Sequence, residues 1–326
     1  MKIRLVNFFG NNNLTVPAHE GNIQDWFDIE FFDRQTTYDK ANTVFIMNNY
    51  QYLQNKPYID KLIENGHKFV SENLCESSLI EEQFRNHPNV LHFYCAHEEA
   101  EHNTNIHPIP MFFWYRESRS FRDYKQLIRL VNTDKKFVNK KFLLLMNLAK
   151  PFRDNIYNKF LPILDDAIYS YVGKNKHPPG DIPQDTFEWD RFINIDWYNH
   201  TEFSVVVETN ISMSNDRIFI TEKTMKPIAL RHPFVSLSCP GTLRLLKKSG
   251  FETFENLFDE SYDLSVYPNA NIDSIYTQVK DYNHVGYDFL TQQKLEHNYN
   301  WFYNEQEITR RFTNDIVNPI LEFVNG

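Results

Sequence analysis

The chain has 326 residues, a net charge of −9 and only nine glycines, a length that predicts about two domains. No glycines have the spacing of a dinucleotide-binding loop or a Walker A loop, which excludes both kinds of phosphate cradle. Any nucleotide must therefore be held by side chains and helix ends. Hydrophobic residues make up 41% and aromatic residues 16%, which excludes an intrinsically disordered chain.

The first part of the chain alternates between strand and helix patterns. Apolar runs predict strands at 2–8, 43–47, 68–71 and 90–94, and helical spacing predicts helices at 58–65 and 77–86. The prolines in His107-Pro108-Ile109-Pro110 then impose an extended stretch. Strands of this length separated by helices are typical of a parallel, doubly wound sheet.

A second alternating series follows a polar stretch at 132–141, which we interpret as a linker. The fully apolar run at 142–146 is typical of a buried parallel strand. Further strands are predicted at 203–208, 217–220 and 233–237, and helices at 153–164, 222–231, 241–249 and 304–325. We therefore expect an α/β protein of two Rossmann-like lobes whose parallel sheets face a cleft, closed by a long C-terminal helix. The cleft is where the active site is expected.

Composition also bears on location. The three cysteines are widely separated and form no C-x-x-C pair, which is typical of a reducing compartment and argues against structural zinc. No apolar run is long enough to span a bilayer, and the chain begins without a signal peptide. We therefore expect a cytoplasmic protein with no membrane span.

The most informative segment, 214–241, has the pattern strand, tight turn, helix, strand, turn. Glu222 and Lys223 fall in the first turn of a helix that follows the carboxyl end of a strand, where α/β sheets bind ligands and where the helix end favours anions. Lys226 shares a helix face with Lys223, and Arg217 adds a further positive charge. A carboxylate at Glu222 suits two ribose hydroxyls. The alternative is an ordinary capped helix with solvated lysines.

This segment resembles the donor-binding core of a known family. The order strand, Thr221-Glu222-Lys223, apolar helix, His-Pro, strand is similar to that of the α-1,3-fucosyltransferases and of related glycosyltransferases from phages and large viruses. The resemblance extends over more than half of the chain and is tightest in about forty residues around Glu222. Ser71 stands where the family has glycine, and Ser-Cys-Pro-Gly at 238–241 replaces its W-G-A-P-like run. The identity of the sugar is therefore not carried over.

Three other segments match the family in the same order. The run FSVVVETN resembles an apolar strand ending in F-E-N, with Glu208 at the acidic position. The run FLLLMNLAKPFR resembles a strand and loop with a diphosphate-binding arginine, for which Arg153 is the better match and Lys150 the alternative. The run FVSEN resembles the F-x-G-E-N segment with the catalytic base, which is Glu72 here.

The resemblance implies a metal-independent, inverting glycosyltransferase of the GT-B fold. Its acceptor-side domain would span 1–135, its nucleotide-sugar-binding domain 136–303 and its closing helix 304–326. Glu222 would hold the ribose, Lys223 and Arg153 would neutralise the leaving diphosphate, and Glu72 would take the proton of the acceptor hydroxyl. The donor-binding set implied by the motif and the resemblance is Lys150, Arg153, Glu208, Arg217, Thr221, Glu222, Lys223 and Lys226.

Two patterns bear on metals. The sequence contains no Asp-x-Asp, the element that metal-dependent glycosyltransferases normally use, so we predict no catalytic metal and no cofactor beyond the nucleotide sugar. In the run HEEAEH at 97–102 the two histidines are five residues apart and do not share a helix face, which argues against a zinc-protease site. Glu98 in this run is a second candidate for the base.

The acceptor is predicted less specifically. The aromatic run at 112–115 and the basic stretch at 116–153 make Trp114 and Arg116 acceptor-side candidates, although such a run is more often core or domain interface. The acceptor is a glycan or, by analogy with viral relatives, a hydroxymethylated DNA base. The net charge of −9 argues against DNA and the basic stretch argues for it. The alternative function is a catalytically inactive GT-B-like nucleotide-binding or scaffold protein. A viral source would place the protein in the host cytoplasm, and no obligate protein partner is predicted.

Overall fold

The computed structural model describes residues 3–7, 23, 26–73, 87–94, 105–121, 138–180, 192–211, 218–283 and 286–326. By internal contacts the chain divides into two units, the first made of Met1–Arg116 and Glu305–Gly326 and the second of Glu117–Asn304. Residue 135, the boundary predicted from the sequence, lies outside the described residues.

In the first unit, the described residues form a six-stranded sheet in the order β2-β1-β3-β4-β5-β6, and all neighbouring strands are parallel. The strands are β1 (Ile3–Asn7), β2 (Phe27–Phe31), β3 (Thr43–Met47), β4 (Lys68–Asn73), β5 (Val90–Tyr94) and β6 (Ile106–Pro108). Helix α1 (Asn49–Glu64) belongs to this unit, and helix α2 (Phe112–Ser120) contains the boundary with the second unit, at Arg116. Strands β3 and β5 are buried along their whole length, as expected for parallel strands covered on both faces.

Helix α1 begins where β3 ends because Asn48 forms a capping box with Gln51. The Asn48 side chain accepts from the Gln51 N–H at 2.8 Å, and the Gln51 side chain accepts from the Asn48 N–H at 2.9 Å. The helix is kinked at Asn55, two residues before Pro57, which cannot donate the backbone hydrogen bond. The apolar pattern beyond this kink explains why the sequence predicts only 58–65.

The C-terminal helix belongs to the first unit. It consists of α9 (Glu305–Phe312), a π-helical turn (Thr313–Val317) and α10 (Asn318–Asn325). Lys68 donates from Nζ to the carbonyl oxygens of Phe323 and Val324 at 2.7 and 2.9 Å, and Tyr115 donates to the Asp315 carboxylate. Strand β4 therefore holds the closing helix near its C-terminal end, and Tyr115 of α2 holds it at the π-helical turn.

In the second unit, the described residues form a four-stranded parallel sheet in the order β10-β9-β7-β8. Its strands are β7 (Lys140–Met146), β8 (Ala167–Tyr171), β9 (Thr201–Val207) and β10 (Phe234–Leu237). Its helices are α3 (Pro151–Phe160), α4 (Ile195–Asn199), α5 (Glu222–Ala229), α6 (Thr242–Lys248), α7 (Pro268–Asp281) and α8 (Phe289–Phe302). The Phe142 ring of β7 stacks on Phe203 of β9 and meets Phe160 of α3 edge-on, at centroid distances of 6.2 and 5.9 Å.

The predicted fold class, α/β with two parallel sheets and a closing C-terminal helix, is confirmed. The pattern did not predict β2, β8, α2, α4, α7 or α8. Residues 218–220, predicted as part of a strand, pair with no strand among the described residues and lead into α5. The predicted helix at 77–86 lies outside the described residues. Of the helices described, none has the length and apolar character needed to cross a membrane.

Candidate functional site

The candidate site lies at the carboxyl edge of the second sheet. Strands β7 and β9 are neighbours, so the loops that leave their carboxyl ends, 147–150 and 208–211, come together there. The first turn of α5 joins them, because hydrogen bonds connect Thr221 and Lys223 to the residues that follow β9. This edge is where α/β sheets bind ligands.

The loop after β7 follows a path that only a glycine permits. The Asn147 carbonyl accepts from the Gly173 N–H at 2.9 Å. A Cβ atom added at Gly173 would lie 2.5 Å from the Ala149 nitrogen and 2.9 Å from its Cβ. The loop can therefore pass close to the end of β8 only because residue 173 has no side chain.

Glu208 anchors the start of α5. It is fully buried, and its carboxylate accepts from the Thr221 N–H at 3.0 Å and from the hydroxyls of Thr221 and Thr224, both at 2.6 Å. The Thr209 N–H donates to it at 3.2 Å. Both carboxylate oxygens are thus occupied by groups of the protein. Glu208 therefore acts on this site by positioning α5, and its carboxylate does not point freely towards a ligand.

Thr221 completes this arrangement as the N-cap of α5. Its backbone is extended, and its hydroxyl oxygen accepts a hydrogen bond from the Lys223 N–H at 3.3 Å. The same hydroxyl donates to the Glu208 carboxylate. Glu222 is 5% exposed, and its carboxylate forms an ion pair with the Lys223 ammonium. The sequence-predicted cap and the acidic first turn are both present.

Three cationic side chains meet here within the described part of the chain. Lys150 donates from Nζ to the Thr209 carbonyl at 3.0 Å, and Lys223 donates from Nζ to the Thr209 hydroxyl at 3.1 Å. Arg153, 3% exposed in the first turn of α3, donates from Nη1 to the Leu148 carbonyl at 2.9 Å. Its Nε is buried and has no hydrogen-bond partner among the described residues. The site therefore holds a buried guanidinium with an unused donor.

The pKa values reflect this crowding of positive charge. Burial, together with the charges of Arg153 and Lys223, lowers the pKa of the Lys150 ammonium. Burial also lowers the pKa of Arg153, which the nearby Tyr171, Glu208 and Glu222 only partly offset. For Lys223 burial acts in the same direction, but attraction by Glu222 and Glu208 outweighs it and raises the pKa. A bound polyanion would relieve the repulsion among the three cations.

The other predicted site residues differ in where they lie. Lys226 is half-buried on α5 and lines a pocket together with Glu222 and Lys223. Glu72 lies at the carboxyl end of β4 in the first unit and is 2% exposed. Arg217 and Glu98 are outside the described residues, so the structure gives no account of them.

The two acceptor-side candidates need one correction. Trp114 is fully buried, and the Arg311 guanidinium lies 5.3 Å from its ring centroid. Its ring is therefore part of the core, which is the alternative given above for an aromatic run, and a sugar cannot stack on it. Arg116 is half-buried with its guanidinium 4.3 Å above the Phe113 ring, and it keeps its place as a candidate.

Three residues of the site escaped prediction from the sequence. Thr209 is hydrogen-bonded to two cations, Gly173 permits the path of the loop, and the half-buried Asn147 lines the pocket and has a buried carboxamide oxygen. Asn147 directly follows β7, and Thr209 comes shortly after the end of β9. Polar residues at these positions indicate the edge of a sheet that binds a ligand. Gly173 carries no such local signal.

Among the described residues, no group of three or more His, Cys, Asp or Glu side chains is arranged to hold a metal ion. The cationic cluster and the hydroxyls around it are groups that bind anions. The site is therefore suited chemically to an anionic ligand with two or more charges.

Comparison with known proteins gives the following. No protein-family model matches this sequence, and no curated protein matches it. A crystal structure of an α1,3-fucosyltransferase is similar to 94% of this chain over 92% of its own, with 9% identity and a TM-score of 0.47. A crystal structure of α1,3-fucosyltransferase with GDP-fucose is similar over 93% and 90%, with 11% identity and a TM-score of 0.48. Both TM-scores are below 0.5, so neither similarity decides the function of this chain, although both name the family that the motifs resemble.

Proposed function

We propose that this protein is a glycosyltransferase that moves a sugar from a nucleoside-diphosphate donor to an acceptor hydroxyl without a metal ion. The observation that carries the proposal is the convergence of Lys150, Arg153 and Lys223 at the carboxyl edge of a parallel sheet. A departing nucleoside diphosphate develops negative charge, which fixed cations stabilise in the transition state. The cluster supplies that charge in a partly buried place, where it acts strongly.

In the proposed reaction the acceptor oxygen forms a bond to the anomeric carbon as the bond from that carbon to the diphosphate oxygen breaks. The bonding electron pair leaves with the diphosphate, next to Arg153 and Lys223. The acceptor proton passes to a carboxylate, for which we propose Glu72. Attack from the face opposite the leaving group inverts the anomeric centre. Glu222 accepts hydrogen bonds from the ribose hydroxyls.

The first experiment uses a panel of UDP-, GDP- and CDP-sugars with donor hydrolysis and transfer as readouts. Lys223→Ala and Glu222→Ala should each lower turnover by roughly 100-fold, the scale seen when a transition-state contact is removed. Lys280→Ala is the matched control, because Lys280 is an exposed lysine on α7 of the same unit. Activity should persist in a chelator.

Full turnover in both site variants would contradict the assignment of the site. Binding of a nucleoside diphosphate by the wild type without transfer to any acceptor would favour the alternative, a nucleotide-binding protein that has lost turnover. Loss of activity in chelator would contradict metal independence and leave the donor site in place.

The acceptor is distinguished by a separate measurement. If it is a hydroxymethylated base in duplex DNA, binding should be strong at low salt and fall steeply as salt rises, since phosphate contacts release counterions. If the protein does not bind duplex DNA even at low salt, the acceptor is a glycan.

A further inference from the structure

A pocket lies between the second sheet and α5, and Lys223 of the cationic cluster is part of its lining. One side of it is formed by Leu143 and Leu145, which alternate along β7 and so share a face of the sheet. Ser170 of β8, the register partner of Leu145, lies on the same face. Val206 of β9 and Pro227 of α5 add further aliphatic surface. These residues give the pocket an aliphatic surface, and Glu222, Lys223 and Lys226 of α5 also line it, which connects it to the proposed diphosphate site.

Two polar side chains of this pocket are already satisfied within the protein. The Ser170 hydroxyl donates to the Met146 carbonyl and accepts from its N–H, both at 3.2 Å. The Ser204 hydroxyl is hydrogen-bonded to Nδ1 of His232 at 2.9 Å. These hydroxyls have no need of a ligand.

Asn147 differs from them. Its carboxamide oxygen is buried and has no hydrogen-bond partner among the described residues. The backbone at this position is fixed, since the Asn147 carbonyl accepts from Gly173. A buried acceptor left without a donor is unfavourable, so a ligand that brings an N–H to this place gains affinity.

The lining of the pocket selects which part of the donor enters it. A sugar ring carries several hydroxyls, and each needs a partner when buried. The phosphates belong with the cations and would be repelled by the Asn147 oxygen. A nucleobase has two apolar faces and carries its N–H donors at the edge, which suits an aliphatic pocket with a single unsatisfied acceptor.

We propose that this pocket takes the nucleobase of the donor and that Asn147 accepts a hydrogen bond from the base edge, which makes Asn147 a specificity-determining residue. The inference rests on the proposed function, because it assumes a nucleoside-diphosphate donor at this site. It adds to that function the part of the ligand that the protein recognises and the side chain that recognises it.

The test measures binding of UDP, GDP, CDP, ADP and inorganic pyrophosphate by isothermal titration calorimetry. Asn147→Leu keeps the size of the side chain and removes the acceptor, and Asn147→Ala serves as a second variant. Both should weaken binding of the preferred nucleoside diphosphate by roughly 10- to 100-fold, while the affinity for pyrophosphate changes by less than about twofold. Asn158→Leu, an exposed position on α3, is the matched control and should bind all five probes as the wild type does.

Each result has a distinct meaning. Pyrophosphate is the internal check on folding, because it needs the cations and not the base pocket. Unchanged base preference in both variants would overturn the inference, as would an equal loss of nucleotide and pyrophosphate affinity in a folded variant. A wild type that binds neither pyrophosphate nor any nucleotide would contradict the proposed function itself.

Discussion

In the proposed function, Lys150, Arg153 and Lys223 bind phosphate through their side chains in a chain that has only nine glycines. Proteins with glycine-rich loops wrap phosphate with backbone N–H groups, whereas here side-chain cations converge on one sheet edge. Thr209 sets their spacing, because its carbonyl takes Lys150 and its hydroxyl takes Lys223. Thr209 thus positions two of the three positive charges.

The lowered pKa of Lys150 leads to a pH prediction at this scale. A polyanion binds the charged ammonium, so affinity for pyrophosphate should fall as pH rises through the Lys150 pKa, which lies below the ordinary value of 10.5. Lys150→Arg keeps the charge at all these pH values and should remove the decline, because a guanidinium does not deprotonate. Calorimetric titrations of the wild type and Lys150→Arg over the same alkaline pH series measure this, because the ionisation of pyrophosphate is common to both proteins. The same decline in Lys150→Arg would contradict the assignment to Lys150.

At the scale of elements, the start of α5 decides the site. The helix is only eight residues long and contains Pro227, so it depends on its cap and on packing more than on its own hydrogen bonds. Thr221 and Thr224 both donate to the buried Glu208 carboxylate, which ties the helix to the end of β9. Glu222 and Lys223 are placed by this attachment.

Thr221→Ala should destabilise the protein by about 1–2 kcal/mol, because the helix loses its cap and Glu208 loses a donor. Thr221→Ser keeps the hydroxyl and should remain within about 0.5 kcal/mol of the wild type. Urea unfolding measures both. A Ser variant as unstable as the Ala variant would show that the methyl group and not the hydroxyl is what matters at this position.

At the scale of the whole molecule, each unit contains a carboxylate held by cations. In the second unit burial acts to raise the pKa of Glu255, but the hydrogen bond from Lys294 at 2.7 Å, the charge of Lys294 and a hydrogen bond from Thr253 together outweigh it, and the pKa is about 2. In the first unit hydrogen bonds from Arg310 and then Arg311 outweigh burial and lower the pKa of Glu307 to about 2. Both groups therefore stabilise the fold in their ionised form.

The sign of the pH effect follows from these values. Because both pKa values are lowered from 4.5 to about 2, the stabilisation is complete above pH 4.5 and is lost as the pH falls towards 2. We expect acid unfolding in this window. Glu255→Gln and Glu307→Gln should each flatten the dependence of the free energy of unfolding on pH there. An unaltered slope in the double variant would contradict this account.

Local sequence determined the alternation of strands and helices, the cap of α5 and the charged first turn, because apolar periodicity and capping act over a few residues. It did not predict β2, an edge strand in which Asp28 and Glu30 interrupt the apolar pattern. It also did not predict β8, which directly follows the short 3₁₀ helix Leu161–Asp166. These strands are recognised only by their parallel neighbours.

The candidate site divides in the same way. The placement of Glu222 and Lys223 in the first turn of α5 was predictable from local sequence. Arg153 was assigned through the family resemblance. The roles of Thr209, Asn147 and Gly173 depend on which strands lie side by side, since their partners are 14 to 59 residues away. Glu208 was found by sequence, but only its buried hydrogen bonds show that it positions α5. Contacts between distant segments carry no local pattern, and for that reason only the tertiary structure decided them.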